Sequence, residues 1–199
     1  ALAADPAYTA AAGNLGNALL AHAQLKASMA DVVAAEQGGL AEEGAAERVA
    51  AAAAELEREA IDFFVLAGRQ FRRVLEASGG DVNAFVNWGK ALSQRAQLVG
   101  RRDPGAAEKL YTAAVEKFDA AMACDPQSFA ALRAWGAALL ELSRLQAGEE
   151  ARASLADART CFEGAAALRP GDADVERCLQ DVAREAAAPP RSSAAAWEP

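Results

Sequence analysis

The side chains that could do chemistry in this chain are one histidine, three cysteines and a few paired carboxylates. His22 is the single histidine in 199 residues. One imidazole supplies neither a His-based metal site nor a Ser-His or Cys-His pair, so His22 reads as a surface or partly packed side chain. Cys124, Cys161 and Cys178 are odd in number and lack the close paired spacing of a metal knuckle or redox motif. They read as buried, reduced thiols on helices, which suits a reducing intracellular compartment. The adjacent acids Glu42-Glu43 and Glu149-Glu150 fit the opening turns of helices, where the helix dipole favours negative charge. The glycine pairs in "EQGGL" and "SGGD" lack the Lys-Ser/Thr ending of a phosphate loop and read as helix ends. No catalytic, cofactor or metal site follows, and the expectation is a protein without enzymatic activity.

Composition points the same way. Apolar residues make up 53% of the chain, enough for a real core, but alanine dominates them and aromatics are only 6%. Helix propensity is therefore high nearly everywhere. The formal charge of −8 disfavours nucleic acid as a partner, because phosphate contacts need clustered Lys and Arg. No apolar run approaches the ~20 residues that span a bilayer. The first residue is Ala1 rather than Met, so the chain reads as a processed form or a fragment.

A pattern recurs three times. Leu132, Trp135, Gly136 and Leu139 are followed by Ala158, Phe162 and Pro170; Phe85, Trp88, Gly89 and Leu92 by Ala114, Phe118 and Pro126; Ala12, Leu15, Gly16 and Leu19 by Ala67, Phe71 and Gly79. Asp5-Pro6 fits the closing turn of an earlier unit. The series resembles the tetratricopeptide repeat, W-x2-L-G-x2-Y, then A-x3-F, then P, over 34 residues. That resemblance implies an all-α solenoid of three helix pairs plus a capping helix, covering residues 1–187 as one domain. The repeats would span about 7–80, 81–126 and 127–170, with the cap over 172–187 and a flexible tail over 188–199 that includes Trp197. Gly and Ala at the motif positions would let paired helices approach closely, and Phe71, Phe118 and Phe162 would fill the space between pairs. A helix-interior Gly costs about 1 kcal/mol relative to Ala, so three in one register imply a packing reason.

The spacing departs from the template in one consistent place. Pro126 and Pro170 are 44 positions apart, and Gly79 and Pro126 are 47 apart. The extra residues fall between the two motif halves, so each helix of a pair is lengthened. In the first pair, Leu15, Leu19, Leu25, Met29, Val32 and Val33 suggest an apolar face running to a break at Gly38-Gly39. A second helix follows from about Ala41 to Ala77, with Val49, Leu56 and Phe63 at heptad spacing. Together they predict a long antiparallel hairpin with a thin seam at Ala50 to Ala54, projecting about 24 Å past the repeat body. In "GRRDPG", Gly100 ends a helix while Asp103 caps the next, with Pro104 at its first position. Pro126 stops one helix and is placed to begin another. Gly148 follows a helix from about Gln127. A last helix, Asp172 to Ala187, would turn Val175, Leu179 and Val182 inward.

In the family the first helices of successive pairs line a concave groove that binds peptides. By register, Asn17, Asn83, Asn87, Lys90, Gln94, Arg133 and Glu141 would face it. Asn17 and Asn87 match two positions of the clamp that some members use on the terminal carboxylate of heat-shock chaperones. Gly13, Ala130 and Ala134 stand where that clamp needs three basic residues, so the clamp is absent. Lys90 and Arg133 remain available to an acidic peptide. Three partner readings follow. The first is a protein-interaction scaffold, an accessory or adaptor subunit of a larger complex, docking through the groove and the hairpin over residues 20–60. The second is a receptor for short targeting peptides, since "WGAALLELSRL" and the lengthened pairs are similar to the plant mitochondrial outer-membrane import receptor. The third, RNA binding by helical repeats, wants a basic groove. A chloroplast or mitochondrion is the organelle expectation.

Overall fold

Alanine-rich sequence with capped ends gives helix throughout. The structure, a computed structural model, describes residues 6–35 and 44–188, and these form seven helices and no strand. They are α1 (Pro6–Ala35), α2 (Ala45–Ser78), α3 (Val82–Gly100), α4 (Pro104–Cys124), α5 (Phe129–Leu145), α6 (Gly148–Leu168) and α7 (Ala173–Ala187). The chain divides into two compact units, residues 1–79 and 80–199. The expected break at Gly38-Gly39, the start at Ala41, the pair Glu42-Glu43, Asp5 and the tail with Trp197 lie outside the described residues.

Unit one is the antiparallel pair α1–α2. Lys26 Nζ meets a carboxylate oxygen of Glu59 at 2.6 Å, His22 stands edge-on to Phe63 with ring centroids 4.4 Å apart, and Gly16 lies under Phe71. These three contacts fix one register along the hairpin. The buried line of α1 is Ala12, Gly16, Leu20, Ala23 and Ala30. On α2 it runs through Ala53, Ala60, Ala67 and Val74 at seven-residue spacing, with Phe64 and Phe71 between them. Both lines correct the sequence expectation. Leu15, Leu25, Met29 and Val32 are exposed, and Val49, Leu56 and Phe63 flank the seam half-buried. Of Ala50 to Ala54 only Ala53 is buried. Small residues let the helices close on each other, so alanine dominates the seam, joined by Leu20, while Leu15 and Leu25 are left outside. Gly79 ends α2 at φ 73°, with its N–H donating to the Leu75 carbonyl, a left-handed end that glycine takes without strain.

Unit two stacks two pairs and a final helix. α3 packs on α4, α4 on α5, α5 on α6 and α6 on α7. α3 also touches α5, and α5 touches α7, whereas α4 and α6 do not meet. The odd-numbered helices α3, α5 and α7 therefore touch along one side of the row, while α4 and α6 stay apart on the other. Caps set the helix starts. Asp81 accepts from the Ala84 N–H at 2.8 Å, Asp103 from Ala106 at 2.9 Å, and Ser128 from Ala131 at 3.4 Å. Asp172 accepts from both Asp174 and Val175 at 3.1 Å. Such caps contribute about 1 kcal/mol each. Asp103 and Pro104 do what the sequence suggests, but Pro126 does not begin α5. It sits in an exposed turn and leaves that role to Ser128. Pro170 likewise lies in the turn before α7.

Two cores fill this unit. One gathers Tyr111, Ala114, Phe118, Ala131, Ala138 and Leu142; the other Leu139, Leu155, Ala158, Phe162, Val175 and Val182. Trp135 packs against both, and Leu179 against the second. Phe71, Phe118 and Phe162 are almost wholly buried, each worth about 2–3 kcal/mol of apolar burial. Phe118 and Phe162 share their cores with residues of the following helix, as expected. Each ring rests on the motif glycine of its own pair, where a β-carbon would fall 2.7 Å (Gly16), 2.6 Å (Gly89) or 2.9 Å (Gly136) from the nearest ring carbon. The glycines make room for an aromatic ring rather than for bare backbone.

Candidate protein-binding face

Six of the seven polar residues expected to line a groove lie on α3 and α5 of unit two. Asn83, Asn87, Lys90 and Gln94 recur every three or four residues along α3 and so share one face. Arg133 and Glu141 belong to α5, the helix beside it. Asn83 and Arg133 are exposed, and Asn87, Lys90, Gln94 and Glu141 are half-buried. Asn17 stands exposed on α1 in the other unit.

Lys90 and Arg133 carry the electrostatic character of this face. Burial lowers the Lys90 pKa, and the nearby Arg133 guanidinium lowers it further. Both effects disfavour the charged form of Lys90, and a carboxylate placed beside it would favour that form. Among the described residues no carboxylate pairs with either one. Glu141 cannot supply it, because Arg144 holds Glu141 from the next turn and also reaches Glu185 on α7 at 3.4 Å. Arg144 was not singled out in the sequence, although its spacing three residues after Glu141 is the signal of such a pair.

The remaining candidates for chemistry are dispersed. Cys124 is exposed at the end of α4, against the expectation of a buried thiol, while Cys161 is buried and Cys178 half-buried. Burial pushes the Cys161 thiol up to about 12, with Asp157 adding to the rise. Burial also raises Cys178. Glu149 and Glu150 open α6, as expected. Among the described residues no group of three or more His, Cys, Asp or Glu could hold a metal ion, and no helix is long and apolar enough to cross a membrane. A separate cavity of about 330 Å³ opens where the α5–α6 turn meets the end of α7, lined by Gln146, Gly148, Arg152, Leu155 and Glu185 among others. None of the expected groove residues lines it.

Unit two ends in α5, α6 and α7, and a family model fits that part of the chain. Residues 125–188 match the plant-specific mitochondrial import receptor subunit TOM20. The TOM20-like segment is about a third of the chain and holds Trp135, Gly136, Ala158, Phe162 and Pro170 together with α7. Arg133 and Glu141 lie inside it, whereas Asn83, Asn87, Lys90 and Gln94 on α3 lie before it. No curated protein matches the chain.

Proposed function

We propose that this chain is a non-catalytic receptor for short targeting segments of proteins bound for an organelle, with the inner side of α3, α5 and α7 as the seat. The observation that carries the reading is the likeness of residues 125–188 to the plant mitochondrial import receptor subunit. Three features support it: the contacts that join α3, α5 and α7 along one side, the polar side chains on α3 and α5, and the closeness of Lys90 to Arg133. In this reading the repeats are tetratricopeptide-like, Asn83, Asn87, Lys90, Gln94, Arg133 and Glu141 contact the ligand, and the protein works at a mitochondrion or chloroplast.

The direct test is fluorescence anisotropy with labelled organelle-targeting segments, each made with and without an acidic residue. Saturable binding is expected, stronger for the acidic versions, and weakened about tenfold or more by Lys90→Glu together with Arg133→Glu. Arg177→Glu on the exposed side of α7 serves as the control. Binding of no segment by the folded protein would overturn the receptor reading. A second reading, an accessory subunit docking through the hairpin, is favoured by the exposed apolar residues of α1.

A further inference from the structure

The exposed apolar residues of α1 are not scattered. Tyr8, Leu15, His22 and Met29 fall at seven-residue intervals, and Ala11, Ala18, Leu25 and Val32 fall at the same interval three residues later. All eight are exposed, with Tyr8, Leu15, Leu25, Met29 and Val32 each 43–59% accessible. At 3.6 residues per turn this line runs roughly 130° round α1 from its buried line. It is an unbroken 3-4 heptad seam of about 36 Å. It is turned away from α2 except at His22, whose ring edge meets Phe63. Seven-residue spacing matches another helix lying alongside and matches no extended chain.

The seam is complementary to itself. When a second α1 is laid antiparallel about a twofold axis near residue 20, each first-position residue meets a second-position residue. Tyr8 then meets Val32, Leu15 meets Leu25, His22 meets Ala18 and Met29 meets Ala11. The two smallest side chains thus face the histidine and the methionine, and leucine faces leucine in the middle of each half. The flanking rows suit the same pairing. One is Asn14, Ala21 and Ser28, small or uncharged throughout; the other is Leu19, Lys26 and Val33. Lys26 is the single charge among them, and Glu59 of the same copy already engages it at 2.6 Å, so no like charges oppose one another. Leu66 of α2, also exposed, stands level with Leu19 in the hairpin register and widens the patch. With it, the large side chains present on the order of 600 Å² per copy, so that two copies reach ~1,200 Å², the lower end of specific interfaces.

We propose that the α1 seam is a twofold dimer interface, occupied by α1 of a second copy running antiparallel. The pairing is isologous and closes on itself.

Light scattering on the purified chain tests this. The expected mass at tens of micromolar is twice the 20.6 kDa of one chain. Leu15→Glu with Leu25→Glu is expected to halve that mass while leaving helix content and melting temperature unchanged, since both side chains are already solvated. For register, copies bearing Ala11→Cys and copies bearing Met29→Cys are mixed in a Cys124→Ser background and oxidised. A bond between positions 11 and 29 is expected. Wild-type chain that stays monomeric across the concentration range would overturn the proposal and give the face to a helix of some other protein. A dimer that survives both glutamates, or bonds joining position 11 to position 11, would overturn it as well.

Discussion

Phe118 lies so close over Gly89 that a β-carbon there would stand 2.6 Å from its Cε1 atom. The same relation joins Phe71 to Gly16 and Phe162 to Gly136. A helix-interior glycine is disfavoured by about 1 kcal/mol, and here the ring that fills its place offsets the cost.

Gly89→Ala should therefore destabilise the protein despite its better helix propensity. Overpacking a filled core costs about 1–3 kcal/mol, and thermal melting should show the loss. Phe118→Leu also destabilises by itself, yet added to Gly89→Ala it should cost less than the sum, because leucine vacates the space the new methyl needs. A double-mutant cycle reads that coupling. Additive effects would mean the two side chains do not share the space.

Lys90→Met should raise the melting temperature and weaken peptide binding together. The substitution removes a half-buried cation lying near Arg133 and keeps most of the aliphatic stem. A trade of stability against function is what a binding residue gives; a structural lysine would lower both or neither. Calorimetric melting and anisotropy on one preparation separate these cases.

Alkaline pH should unfold the protein earlier than its charge would suggest. Cys161 is pushed up to about 12 from 9.0, and Tyr111 to about 12 from 10.0, mainly by burial. Both groups are neutral in the folded state across that range, while their unfolded counterparts lose protons. The unfolded chain then binds fewer protons, and stability falls as pH rises from about 9 toward 12. Lys90 acts in the opposite sense, since its folded value is lowered, but its window closes near the ordinary lysine value. Melting temperatures from pH 8 to 11 should decline, and Cys161→Ala should flatten the part that begins near pH 9.

The fold was readable because its signals are local. Asp103 and Pro104 mark a helix start by their chemistry alone, and Gly89 with Phe118 recurs in register with Gly136 and Phe162. The packing of the first hairpin was less readable. α1 is apolar on nearly every side, so periodicity does not say which side faces α2, and leucines are the natural choice for a core. The seam instead takes Ala23 and Ala60, both fully buried, because close helix approach favours the smallest side chain over the most apolar one. Cys124 misled for a related reason, since its place at the last turn of α4 puts it beyond the packed part of the pair. The shared face of Asn83, Asn87, Lys90 and Gln94 was legible as a register on α3. The half-burial of Lys90 close to Arg133 was not, because it comes from the packing of α3 against α5.

Each aromatic ring finds its socket inside its own helix pair, and this bears on how such a chain can grow. A gene segment encoding one pair carries lock and key together, so a duplicated copy would arrive with its ring and its socket already matched. Lengthened helices are tolerated on the same terms, because residues added at the far end leave that fitting undisturbed. The unequal pairs of this protein share one constant joint, while their arms differ in length.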